Sequence, residues 1–106
     1  MGADATPVTP DQALALAEGL LKSGHIAQAA SILEQMAAQG YESARRLLLL
    51  GRIAQRQSRP DEAARLFHAA GEADPAMDEA HAGLIGILEA QGNYEQAAVA
   101  VRRARI

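Results

Sequence analysis

The groups of this chain that could do chemistry are three histidines, thirteen acidic and ten basic side chains, with no cysteine among its 106 residues. The lack of cysteine leaves no thiol nucleophile, no disulfide framework and no thiolate-ligated metal. His68 and Glu72 stand four residues apart, the spacing that sets two metal ligands on one helix face. A surface pair is the favoured reading of that spacing. His25, His68 and His81 fall in segments of different kinds and are not expected to converge. The few serines and threonines sit in no nucleophile-elbow context. The glycines form neither GxGxxG nor a phosphate loop. The expectation is a chain with no catalytic residues, no metal site and no cofactor.

A different chemistry is open to Arg45, Arg52 and Arg56, which share one helix face by their spacing. Guanidinium groups pair well with carboxylates, so this stripe suits an acidic or carboxylate-bearing peptide. The same arginines could equally be solvated or paired with Glu18, Glu79 or Glu89. The net charge of −3 argues against a general nucleic-acid binder. No apolar run approaches the roughly 20 residues needed to span a bilayer, so no membrane insertion is expected. Nor does a basic start followed by an apolar run mark a signal peptide, which makes a cytoplasmic setting the expectation. Met1-Gly2-x-x-x-Thr6 fits the myristoylation pattern, but Met-Gly is a common start and lipidation is not the favoured reading.

The elements that must position these groups are helices. The chain is 49% hydrophobic but only 3% aromatic, so alanine and leucine must do the packing, which favours closely spaced helices over a sheet. Residues 1–8 have little to bury and, with Thr9, read as a mobile arm. Thr9-Pro10-Asp11-Gln12 then opens a first helix, with Thr9 as N-cap, Pro10 at the first position and Gln12 to close a capping box. It stops at Ser23-Gly24. A second helix spans about 26–39 and ends at Gly40, a left-handed cap. A third, capped by Ser43, reaches about Gln57 and carries Leu47 to Leu50 in succession. A fourth starts at Pro60 and ends near Ala73. A fifth covers about 78–90 and a sixth about 94–105.

A period of 34 residues orders all of this: Ala29, Ala63 and Ala97 correspond, as do Leu16, Leu50 and Leu84, and Gly24, Ser58 and Gly92. Leu33, Phe67 and Val101 form another set, and Met36, Ala70 and Ala104 a fourth. No insertion is needed. Large apolar residues, glycine, small alanines and Pro75 at these offsets resemble the tetratricopeptide repeat. The resemblance covers about residues 10–106. It implies an all-α fold, a right-handed α-solenoid of three antiparallel helix-turn-helix repeats at about 10–43, 44–77 and 78–106. The family's usual Trp is replaced by Ala13, Leu47 and His81, and its usual Tyr by Leu20, Ala54 and Leu88. His81 is then a partly buried packing residue. Gly51 and the alanines at 29, 63 and 97 let the helices of a hairpin approach closely.

The resemblance further implies a non-catalytic protein–protein interaction module whose first helices line a concave groove. That face would carry Asp11, Leu14, Glu18, Leu21 and Lys22 in the first repeat. The second repeat would supply Arg45, Leu48, Leu49, Arg52, Gln55 and Arg56. The third would supply Glu79, Ala82, Gly83, Gly86, Glu89 and Ala90, its glycines and alanines leaving space for an inserted side chain. The partner is a protein or peptide, in the manner of an adaptor, scaffold or chaperone, and the alanine- and arginine-rich composition points to a bacterial source. The carboxylate clamp by which some members bind heat-shock chaperone tails is not expected. Its places hold Leu14, Glu18, Leu49, Glu79 and Gly83, none of the needed type. The related RNA-binding pentatricopeptide repeats, with their 35-residue period, do not fit this acidic 34-residue one.

At the chain's end, Ile87, Val99, Val101 and Ile106 are expected to lack a covering neighbour. Two alternatives follow. The chain could be a self-assembling structural scaffold and homo-oligomer, or it could continue into further helices as a regulatory module of a larger enzyme.

Overall fold

The computed structural model describes residues 9–104, and every regular element among them is an α-helix. The helices are α1 (Pro10–Lys22), α2 (Ile26–Ala38), α3 (Ala44–Arg56), α4 (Pro60–Ala73), α5 (Asp78–Ala90) and α6 (Tyr94–Ala104). The chain divides after Glu42 into two compact units. The arm expected at the N-terminus lies outside the described residues, apart from Thr9.

In the first unit α1 packs on α2. The capping box forms as the sequence requires: Thr9 Oγ1 accepts from the Gln12 amide at 3.1 Å, and Gln12 Oε1 accepts from the Thr9 amide at 3.0 Å. Ala13, Ala17 and Leu21 are the buried stripe of α1, and Ala29, Leu33 and Met36 that of α2. Both follow the helical repeat of apolar positions. Leu16, in the place of Leu50 and Leu84, is 53% exposed.

In the second unit α3 packs on α4, α4 on α5, and α5 on α6. Ser43 Oγ accepts from the Arg46 amide at 3.1 Å and starts α3. Pro60 occupies the first turn of α4, where its missing N–H costs nothing, and Asp61 and Glu62 face the positive end of the helix dipole. The main core cluster joins Leu48 and Ala54 of α3, Ala63, Phe67 and Ala70 of α4, and Ala80 and Ile87 of α5. A smaller cluster joins Leu88 to Ala97 and Ala100. Leu48 and Leu49 are buried and Leu47 and Leu50 half-buried, so the leucine run is covered on several sides.

Phe67 is the wedge of this unit. A Cβ built on Gly51 of α3 would lie 2.7 Å from its ring, and one on Gly83 of α5 would lie 2.8 Å from the ring's other edge. The ring is therefore gripped between two bare backbones, one on each neighbouring helix. Burying such a side chain stabilises by about 1.5–3 kcal/mol.

Four helices end in the same way. The amide two residues past the helix cap reaches back to the third-last helical carbonyl: His25 to Leu20, Tyr41 to Met36, Arg59 to Ala54 and Asn93 to Leu88, at 2.8–2.9 Å. This motif puts the intervening residue in the left-handed region. That residue is Gly24, Gly40 and Gly92 in three cases and Ser58, with φ of 59°, in the fourth. The 34-residue register thus places a serine where its two equivalents are glycine.

Candidate functional site

The arginines of α3 do not stand as a bare basic stripe. Arg45 Nη1 donates to Glu79 Oε1 at 2.9 Å, and Arg52 Nη2 donates to Glu79 Oε2 at 3.1 Å. Arg45 and Arg52 lie seven residues apart, two turns along one face of α3, and Glu79 sits in the first turn of α5. The result is a two-arginine fork closed on one carboxylate, whose side chain is 47% exposed. Arg56 and Gln55 are exposed at the end of α3, and Ala82, Gly86 and Glu89 are exposed along α5. A Cβ added at Gly86 would meet nothing within 4 Å, so that stretch of α5 borders open space. Gly83 does not, because Phe67 fills it from beneath.

Four residues assigned to binding surfaces lie elsewhere. Leu48, expected in the groove, is fully buried on the side of α3 that meets Phe67. Ile87, expected on an uncovered face, is 6% exposed and belongs to the same cluster. Both follow from α4 packing on α3 and on α5, which takes up those faces. Leu21 and Leu49, also expected in the groove, are buried on α1 and α3. None of these four side chains is available to a partner. In the first unit Leu14 and Glu18 are half-buried on α1 and Lys22 is exposed. Val99 and Val101 are exposed on α6, at 45% and 36%, and Ile106 lies outside the described residues.

Two features lie outside the expectations drawn from the sequence. Arg46 is buried at 9% exposure. Among the described residues, no buried side-chain nitrogen or oxygen lacks a hydrogen-bond partner. The second feature is a cavity of about 640 Å³ between α4, α5 and α6. Its buried and half-buried wall is Phe67, Leu84 and Leu88, with Ala64, Gly71 and Ala100 leaving the space empty. The exposed rim carries Arg65, His68, Glu72, Gln96, Val99 and Arg103. Arg103 of α6 donates to Glu72 of α4 across it. His68 and Glu72 are thus a rim pair, with the carboxylate already engaged. Among the described residues no group of three or more His, Cys, Asp or Glu side chains could hold a metal ion. His81 packs its ring on Gly71, and its Nε2–H donates to the Pro75 carbonyl at 2.8 Å. It is a half-buried packing residue at the place where the repeat pattern has Trp.

A chain whose regular elements are successive antiparallel helix hairpins, repeating every 34 residues, is a helical repeat protein. Two tetratricopeptide repeat models match it, one over residues 14–70 and the other over residues 54–105. The first spans more than half the chain, and the chain belongs to the tetratricopeptide repeat family. Members of this family generally mediate protein–protein interactions and are generally non-catalytic. No curated protein matches the chain significantly in sequence. No helix among the described residues is long and apolar enough to cross a membrane.

Proposed function

We propose that the chain is a non-catalytic protein-binding module that holds an acidic peptide segment of a partner on the α3/α5 face. The observation that carries this reading is the fork: Arg45 and Arg52 converge on the single exposed carboxylate of Glu79. The fork has the geometry of a carboxylate receptor and rehearses it with an internal ligand. Each of the two partly exposed ion pairs contributes on the order of 1 kcal/mol, and a partner's carboxylate that took the place of Glu79 would replace like with like. The open space beside Gly86 leaves room for a neighbouring side chain of the bound segment.

Affinity capture from the source lysate tests the reading, with the wild-type chain beside an Arg45→Glu/Arg52→Glu variant of matched helicity and melting. The reading expects a protein retained by the wild type and lost from the variant. Equal capture by both would remove the binding site from this face.

One observation favours self-association as a second reading. Val101 holds the register place of Phe67, and with Tyr94 and Ala98 it forms an exposed row at positions i, i+4 and i+7. In α4 the same place is covered by α5. A helix from a second copy would cover it in α6. Light scattering would then show a mass that rises with concentration and returns to monomer in Val101→Glu. A constant monomer mass would dismiss it.

A further inference from the structure

The cavity between α4, α5 and α6 is separate from the fork and has a chemistry of its own. It exists because α4 and α6 both pack on α5, while their facing side chains are small: Ala64 and Gly71 on one, Ala100 on the other. Its volume of about 640 Å³ lies within the range of roughly 300–1,000 Å³ usual for ligand-binding clefts. Such clefts are apolar inside with a few polar groups that fix orientation, and this one matches, with Leu84, Leu88 and Phe67 inside and charges at the rim.

The rim is basic although the whole chain is acidic. Arg65 and Arg103 face one carboxylate, Glu72, against a net chain charge of −3. Glu72 is taken by Arg103, and Arg65 makes no ion pair among the described residues. The rim therefore offers one guanidinium outright and a second held in an exposed pair that exchanges readily. An occupant that complements both features has a large apolar side chain for the interior and an adjacent carboxylate for the rim.

We infer that this cavity is a second docking site, which takes the apolar anchor of an acidic peptide segment of a partner protein. The anchor, a leucine-, methionine- or phenylalanine-sized side chain, enters against Leu84 and Leu88. A flanking Asp or Glu pairs with Arg65 or displaces Glu72 from Arg103. Apolar anchors seated in a desolvated pocket generally supply most of the affinity of such contacts, and the charges at the edge set specificity and rate.

The test is selection of a random 12-residue peptide library, displayed on phage, on the immobilised full chain. Fluorescence polarisation then measures the enriched peptides. The expected peptides carry one or two large apolar residues beside Asp or Glu. Val99→Glu, an exposed change that sets a carboxylate on the rim against the acidic segment, and Ala64→Leu, which fills the interior, each weaken them by at least roughly tenfold. Arg103→Glu weakens them by about tenfold, the scale of one lost charge-assisted contact. Arg45→Glu/Arg52→Glu leaves them unchanged. Circular dichroism first establishes that each variant is folded, and Val99→Glu remains informative if Ala64→Leu is not. No enrichment, or equal binding to Val99→Glu and wild type, would overturn the proposal. Peptides lost only from Arg45→Glu/Arg52→Glu would overturn it too, while leaving the fork reading intact. A mass above monomer that Val99→Glu returns to monomer would assign the cavity to a second copy and overturn it as well.

Discussion

α4 and α6 hold the same place in successive repeats, 34 residues apart, yet they are packed differently. In α4 the register place holds Phe67, 2% exposed, wedged between the bare backbones of Gly51 and Gly83. In α6 it holds Val101, 36% exposed. α4 is packed on by helices before and after it, whereas α6 is packed by α5. The difference teaches that a repeat position has no fixed structural weight. Its weight depends on whether a neighbour supplies the glycine that receives it.

Substitutions can break or sharpen this contrast. The largest expected effect is Phe67→Ala, which should cost about 3–5 kcal/mol in urea unfolding, while Val101→Ala should stay within about 0.5 kcal/mol. Similar costs at both places would mean that the register, not the neighbour, sets the weight. Next come the residues that make room for the wedge. Gly51→Ala and Ala63→Leu should each cost about 1–3 kcal/mol, because a Cβ at Gly51 meets the Phe67 ring at 2.7 Å and Ala63 has no exposed surface. An unchanged melting temperature for Ala63→Leu would count against the helix register. Gly86→Ala, where a Cβ meets nothing within 4 Å, should instead stabilise α5 by about 0.5–1 kcal/mol. The smallest change is Ser58→Gly, which relieves a left-handed serine and should add up to about 1 kcal/mol, partly offset by the freer unfolded chain. A loss of stability there would show that the Ser58 side chain contributes something its glycine equivalents do not.

Much of this was legible in the sequence because each signal was local. Thr9 with Gln12, Ser43, Pro60 and the glycines at 24, 40 and 92 mark helix ends by chemistry that acts within a few residues. The 34-residue register then carried the same turn onto Ser58. What failed was the side of a helix on which a neighbour sits. Leu48 and Ile87 follow the apolar period, but the period alone does not say that α4 covers them. Pairing of the arginines with Glu79 was one of the alternatives the sequence left open; Arg45 and Glu79 share a register place on successive first helices, and such places lie side by side. The cavity was hardest to foresee, being made by side chains that are missing. Its trace in the sequence is Ala64, Gly71 and Ala100 on successive second helices.

The fork is the centre of the account, and one measurement addresses it most directly. Glu79→Gln removes the internal carboxylate and leaves both arginines in place, whereas Arg45→Glu/Arg52→Glu removes the receptor. Titration calorimetry with the captured partner's acidic segment, at low and high salt, compares both variants with the wild-type chain. The account predicts tighter binding to Glu79→Gln, loss of binding to the double variant, and a gain in Glu79→Gln that shrinks as salt rises. Equal affinity for all three proteins would contradict it.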